Sequence, residues 1–123
     1  MKTNELIGPA LDWAVSKCEF GDADEWSDDA DFDLDTVTDM EYYGGSFNPS
    51  KYWAQGGPII ERELIDVLTC DGGDYWQAHI YASDERIEQY GPTPLIAAMR
   101  CYVASKLGDN VDVPEELHSA MLQ

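Results

Sequence analysis

Two Gly/Pro turns, each followed by an arginine, carry the residue types best suited to binding chemistry. Gly56-Gly57-Pro58 precedes Arg62, and Gly91-Pro92-Thr93-Pro94 precedes Arg100. Thr93-Pro94 has the form of a helix start, with threonine as cap and proline as first residue. The N–H groups and the threonine hydroxyl at such a start can receive an anion. Arg62 would add a bidentate fork and Trp53 a stacking face. Trp53, Gln55, Gly56, Gly57, Arg62, Thr93 and Arg100 therefore form a candidate pocket for a nucleotide-like ligand. The plainer account is that Thr93-Pro94 simply starts a helix and that both arginines pair with carboxylates. Helix caps are far commoner than anion sites, so the plainer account carries more weight on residues alone. The chain has no Walker sequence and no dinucleotide fingerprint.

The second feature is a run of carboxylates. Eleven residues between Glu19 and Glu41 are acidic and none is basic, in a chain of 123 residues with net charge −18. Asp31-x-Asp33-x-Asp35 matches the first three ligands of a calcium loop. The sixth position, however, is Thr36 where glycine is needed, and the twelfth is Tyr42 where a bidentate glutamate is needed. No dedicated metal site is expected. The same run can imitate nucleic acid. Carboxylates two residues apart on a strand are about 6.6 Å apart, whereas each DNA strand has a phosphate per roughly 3.4 Å of axis. A mimic would therefore need Asp22, Asp24, Glu25, Asp28 and Asp29 beside Asp31, Asp33 and Asp35. The bland alternative is a solvated acidic loop that aids solubility. A field of this sign repels nucleic acid and anionic membranes and attracts basic proteins.

Catalytic patterns are weak. His79 and His118 lack ligand-like spacing. Asp71, Asp74, His79 and Asp84 fall around one hairpin, but a histidine on a strand reads as a surface residue. The residues Trp13, Trp53, Trp76, Tyr75, Tyr81 and Tyr102 read mainly as core. No enzyme activity and no cofactor are expected.

A chain of this length, 44% hydrophobic, is expected to form a single domain spanning residues 1–123, with the acidic stretch at 21–41 as its distinctive part. It has no apolar run of membrane-spanning length, and Met1-Lys2-Thr3-Asn4-Glu5 lacks the basic-then-apolar pattern of a signal peptide, so secretion is not expected. Cys18, Cys70 and Cys101 are isolated, as expected of reduced thiols in a cytosolic protein.

The elements that must position these residues follow from periodicity. A helix is predicted near Pro9–Glu19, where Leu11, Val15 and Cys18 repeat at helical spacing and Gly21 stops the run. Asp31-Phe32-Asp33-Leu34-Asp35 alternates like a half-buried strand. Gly44-Gly45 and Asn48-Pro49 mark loops. Leu64–Cys70 and Tyr75–Ala82 read as strands joined by the Asp71-Gly72-Gly73-Asp74 hairpin. Trp76, Ala78, Ile80 and Ala82 face one way on the second of these. The last helix starts at Thr93-Pro94, carries apolar residues from Leu95 to Leu107, and stops at Gly108. Too few of its positions are polar for it to face water. The predicted fold class is α+β, in α-β-β-β-α order, with a three-stranded antiparallel sheet and two helices packed on one face. Some double-stranded-RNA-binding domains share that order, but the charge argues against RNA.

Three ordered segments carry a family likeness. They are Gly8-Pro9-Ala10-Leu11-Asp12-Trp13-Ala14-Val15, then Trp53-Ala54-Gln55-Gly56-Gly57-Pro58-Ile59-Ile60-Glu61-Arg62-Glu63, and then Gly91 through Val103. Together they resemble the NinX family of lambdoid phages and prophages, over roughly half the chain. The acidic region from Gly21 to Asp39 is its least family-like part. The resemblance implies a small phage accessory protein in the host cytoplasm and supplies no catalytic residues.

The expected function is accordingly non-catalytic. The leading expectation is a host-defence antagonist whose acidic residues 22–35 occupy a basic, nucleic-acid-binding face of a host enzyme or defence component, as a DNA mimic does. The alternative is sequestration of a nucleotide signal at the Gly/Pro/Arg region. Direct nucleic-acid and membrane contacts are not expected. A homodimer is compatible with the sequence.

Overall fold

One apolar helix organises the fold. In the computed structural model, which describes residues 1–20, 47–82 and 84–113, Thr93 Oγ1 accepts the Ile96 N–H at 3.1 Å. Pro94 takes the first helical position, and Gly108, at φ 87°, ends the helix. This helix, Pro94–Leu107, is termed α3. Eight of its fourteen residues are buried, from Leu95 to Ala104. A helix apolar on every side must be covered on every side.

The sheet covers one side and the other two described helices cover the rest. Strands β1 (Asp66–Cys70), β2 (Tyr75–Ala82) and β3 (Glu85–Gly91) form an antiparallel sheet in the order β1-β2-β3. The register sets Val67 opposite Ala78 and Ile80 opposite Ile87. These four share the face turned toward α3, as the period of two requires. Helices α1 (Gly8–Phe20) and α2 (Trp53–Glu63) pack mainly on α3. Leu6, Leu11, Val15, Ile59, Met99 and Val103 join one core. The N-terminal residues are tied beside the segment that follows α3, through Thr3 N–H to Asp109 O and Val111 N–H to Met1 O, both 2.8 Å.

The α+β class and the α-β-β-β-α order are as the sequence predicts. Four details differ. The expected strand at Asp31–Asp35 lies outside the described residues, and the third described strand is Glu85–Gly91. Gly56-Gly57-Pro58 lies inside α2 instead of forming a loop. Pro58 removes one helical donor, but its partner carbonyl belongs to the exposed Ala54, where water can replace it. The stripe of Gly56, Ile59 and Ile60 anchors that helix against the core. The helices stack in two tiers on one side of the sheet, since α1 and α2 reach it chiefly through α3. Lastly, His79 is buried instead of superficial, whereas Trp53, Tyr75 and Tyr81 are exposed instead of core. No described helix is long and apolar enough to cross a membrane.

Candidate functional site

The N-terminal ends of α1, α2 and α3 meet at one cleft. It has a volume of about 420 Å³ and is lined by Ile7 and Gly8 before and at the start of α1, Ser50, Lys51 and Trp53 around the start of α2, and Thr93 to Ile96 at the start of α3. The volume lies in the range of small-ligand sites. Each helix carries the equivalent of about half a positive charge at this end. None of the three has an acidic residue in its first turn, although 25 of the 123 residues are acidic. Lys51 adds a full positive charge, and Trp53 presents an exposed indole. Among the residues that line the cleft, Lys51 is charged and none is acidic.

Beneath the cleft, Asp12 of α1 is buried, and its Oδ1 accepts the Ser50 N–H at 2.9 Å. Burial pushes the Asp12 carboxyl up to about 6, against the smaller opposing effect of its bonds to Ser50. That contact holds the turn that carries Lys51. Gly56 is also structural. A Cβ there would collide with the Pro49 carbonyl oxygen and lie 2.6 Å from Leu95 Cδ2. The lack of a side chain lets α2 close on the Pro49 turn and on α3. Gln55 Oε1 accepts the Asn48 N–H at 2.5 Å, which braces the same turn.

The structure divides the pocket residues predicted from sequence. Trp53 and Thr93 line the cleft together, with Gln55 and Gly56 supporting its wall. Gly57 is half-buried on α2 near the Trp53 ring. Arg62 lies at the opposite end of α2. Its Nη1 and Nη2 donate to the two Glu19 carboxylate oxygens at 3.0 and 2.5 Å, and its Nε donates to Glu63 Oε2 at 2.8 Å. These bonds, Glu19 first, hold the guanidinium far above its ordinary range. The Tyr102 hydroxyl donates to Glu19 Oε2 at 2.5 Å. Burial, then that glutamate, pushes the phenol up. Arg100 is elsewhere again. It donates to the Leu6 carbonyl at 2.8 Å and the Tyr90 carbonyl at 2.7 Å, tying the entry of α1 to β3. Burial lowers its basicity. The acidic residues Asp22, Asp24, Glu25, Asp28, Asp29, Asp31, Asp33 and Asp35 lie outside the described residues.

Sequence reasoning missed Lys51, Ser50 and Asp12. The usable signal was the Asn48-Pro49-Ser50-Lys51 turn directly ahead of Trp53. The thiols of Cys18 and Cys101 are each pushed up to about 12, chiefly by burial, which keeps them protonated and poorly nucleophilic at neutral pH. No cluster of three or more metal-ligating side chains occurs among the described residues.

Fold and cleft together define a small α+β domain with a pocket built from helix N-termini. A family model described as "Bacteriophage P22, NinX" matches residues 2–106, and the chain belongs to that family of phage proteins. The match runs through α1, α2, the sheet and nearly all of α3. No curated protein matches the chain.

Proposed function

We propose that this chain is a non-catalytic binding protein that acts on a host component by sequestering a small anionic, nucleotide-like ligand in the cleft. The observation that carries the reading is the convergence on Lys51 and Trp53 of three helix N-termini with no acidic residue in their first turns. Phosphate would sit at the helix ends beside Lys51, and a base would stack on Trp53. Thr93 is already committed as the cap of α3, Pro94 has no N–H, and the Ile96 and Ala97 N–H groups bond Thr93, so α3 offers the Leu95 N–H and its end charge while α1, α2 and Lys51 supply the rest.

Isothermal titration calorimetry with AMP, a cyclic dinucleotide and inorganic phosphate tests it. At least one nucleotide should bind more tightly than phosphate and be recovered intact. Lys51→Ala and Trp53→Ala should each weaken binding about tenfold. Silence for all three probes with folded protein would sink the reading.

A second reading rests on charge. Ten acidic residues and no basic one fall within residues 21–46. This favours host-defence antagonism in which residues 22–35 occupy a basic, nucleic-acid-binding face of a host protein, as a DNA mimic would. Replacing Asp28, Asp29, Asp31, Asp33 and Asp35 with Asn should abolish that interaction and leave nucleotide binding untouched. Both readings place the protein in the host cytoplasm.

A further inference from the structure

The sheet has a second face, turned away from α3. The register sets Leu68, Gln77 and Tyr90 in one row across it and Asp66, His79 and Glu88 in the next. Among the described residues, α3 is the helix that packs on the strands, and the turn at residues 3–5 meets the β3 edge, where Asn4 lies near Tyr75 and Tyr90. A solvated antiparallel face usually carries polar residues. This one exposes Leu68 by 50%, Tyr75 by 40%, Tyr81 by 68% and Tyr90 by 46%. Tyrosine-rich surfaces are typical of protein interfaces, since the ring covers much area at little entropic cost.

The rings are held in place before any partner arrives. Tyr75 and Tyr90 lie 5.9 Å apart between centroids. Gln77 Nε2 donates to the Tyr90 hydroxyl at 3.2 Å. At the other end the Tyr81 ring meets His79 edge-on at 5.5 Å. His79 is buried, with Nε2 2.9 Å from Asp66 Oδ2 and Nδ1 3.3 Å from Arg86 Nη2. Arg86 is the one cation on these three strands, and Glu88 pairs with its Nε at 3.2 Å. Carboxylates, by contrast, recur. Asp66 and Glu88 lie on the face, and Asp74 and Glu85 stand at its ends.

We propose that this face docks a protein whose surface combines lysine or arginine with aliphatic side chains. Charge complementarity selects that occupant. A second copy of the chain, itself at net charge −18, is repelled. A nucleic acid would meet the same repulsion. The proposal rests on the second functional reading, in that its partner is basic. It gives that partner a seat on the folded body, apart from residues 22–35.

NMR titration of the ¹⁵N-labelled full chain with two synthetic peptides, one alternating lysine and leucine and one of lysine alone, tests it. Amide shifts should concentrate at Leu68, Gln77, Tyr81 and Tyr90. The lysine–leucine peptide should bind about tenfold more tightly than oligolysine, the size of one good apolar anchor. Tyr81→Ala and Leu68→Ala, both at exposed positions, should remove that advantage without unfolding the chain. Equal binding of the two peptides, or silence of both substitutions, overturns the proposal. If Asn at positions 28, 29, 31, 33 and 35 abolishes oligolysine binding while Tyr81→Ala is silent, the second reading survives and this one falls. Shifts at the same residues on concentrating the chain alone would assign the face to a second copy and overturn it equally.

Discussion

Asp12 Oδ1 accepts the backbone N–H of Ser50 at 2.9 Å across 38 residues of sequence, and Asp12 is only 6% exposed. This one bond ties α1 to the turn ahead of α2, and so fixes where Lys51 stands relative to Thr93. A buried carboxylate is an expensive choice of tether, because ionisation is opposed by lost hydration.

That cost sets the first prediction. Asp12 has its carboxyl raised from 3.8 to about 6 in the folded chain. A raised acid favours folding only while protonated. Its contribution is therefore fully present below about pH 4 and is lost as pH climbs through about 6. The loss amounts to about 3 kcal/mol at most. Asp12→Asn keeps an oxygen for the Ser50 N–H and removes the titration. Urea midpoints at pH 4, 5, 6 and 7 should show the variant gaining on the parent as pH rises. The other carboxylates titrate in both proteins and cancel in the difference. A difference that does not vary with pH would show that Asp12 carries no such burden.

The second prediction contrasts neighbouring glycines. Gly56→Ala drives a methyl group into the Pro49 carbonyl and Leu95. Backbone cannot yield as a flexible side chain can, so the loss should be about 1–3 kcal/mol. At Gly57 the nearest atom to a new Cβ is Trp53 Cε3 at 3.9 Å, an ordinary contact. Gly57→Ala should stabilise α2 by up to about 1 kcal/mol through helix propensity. Thermal melts of both variants test the pair, and a fall of equal size in both would contradict the packing described for α2.

Much of this architecture is legible in the sequence, and the failures have a common cause. Tyr75–Ala82 could be read to the residue because Trp76, Ala78, Ile80 and Ala82 alternate after a Gly-Gly turn. The capped helix α3 was equally plain. Strand β3 was not, because its inward side offers only Ile87, Gln89 and Gly91, and its apolar signal is too thin. Helix α2 hid behind Gly-Gly-Pro, whose local preference is overridden by burial of Gly56 and Ile59. At the site, Thr93 and Trp53 could be found from local grammar. The plainer reading of Arg62 as a carboxylate partner holds, with Glu19 and Glu63, but the same reading fails for Arg100, which donates to the backbone carbonyls of Tyr90 and of Leu6, 94 residues away.

The third prediction concerns the end of α2. Leu64 caps that helix in the left-handed region at φ 57°, ψ 51°, while Ile65 N–H reaches back to the Ile60 carbonyl at 3.0 Å. This is the geometry that glycine ordinarily supplies. A leucine there strains its Cβ by about 1 kcal/mol and leaves an exposed apolar side chain. Leu64→Gly relieves that strain at the cost of a more flexible unfolded chain. It should be neutral or stabilising by up to about 1 kcal/mol. Equilibrium urea unfolding reads this directly, and a marked loss would mean that Leu64 makes a contact beyond its capping role.

The last prediction separates the arginine cluster from the cleft. Arg62 grips Glu19 with two parallel bonds, and Tyr102 bonds the same carboxylate, so the C-terminal ends of α1 and α2 are clasped to the side of α3. The Arg62 side chain is half exposed, so water screens the pair and its coupling should be modest. A double-mutant cycle of Arg62→Ala and Glu19→Ala should return about 1 kcal/mol, with the two single variants each melting lower than the parent. Tyr102, beside this cluster, lies nine residues from the helix start at Thr93, a separation of about 13 Å along the α3 axis. At that distance a screened charge contributes little to an anion held at the cleft. Arg62→Ala should therefore lower the melting temperature and leave nucleotide affinity within about twofold of the parent, whereas Lys51→Ala should do the reverse. Calorimetric titration and a thermal melt on the same two preparations decide it. If Arg62→Ala abolishes nucleotide binding in a chain that still melts normally, the ligand belongs with the arginine and not at the helix N-termini.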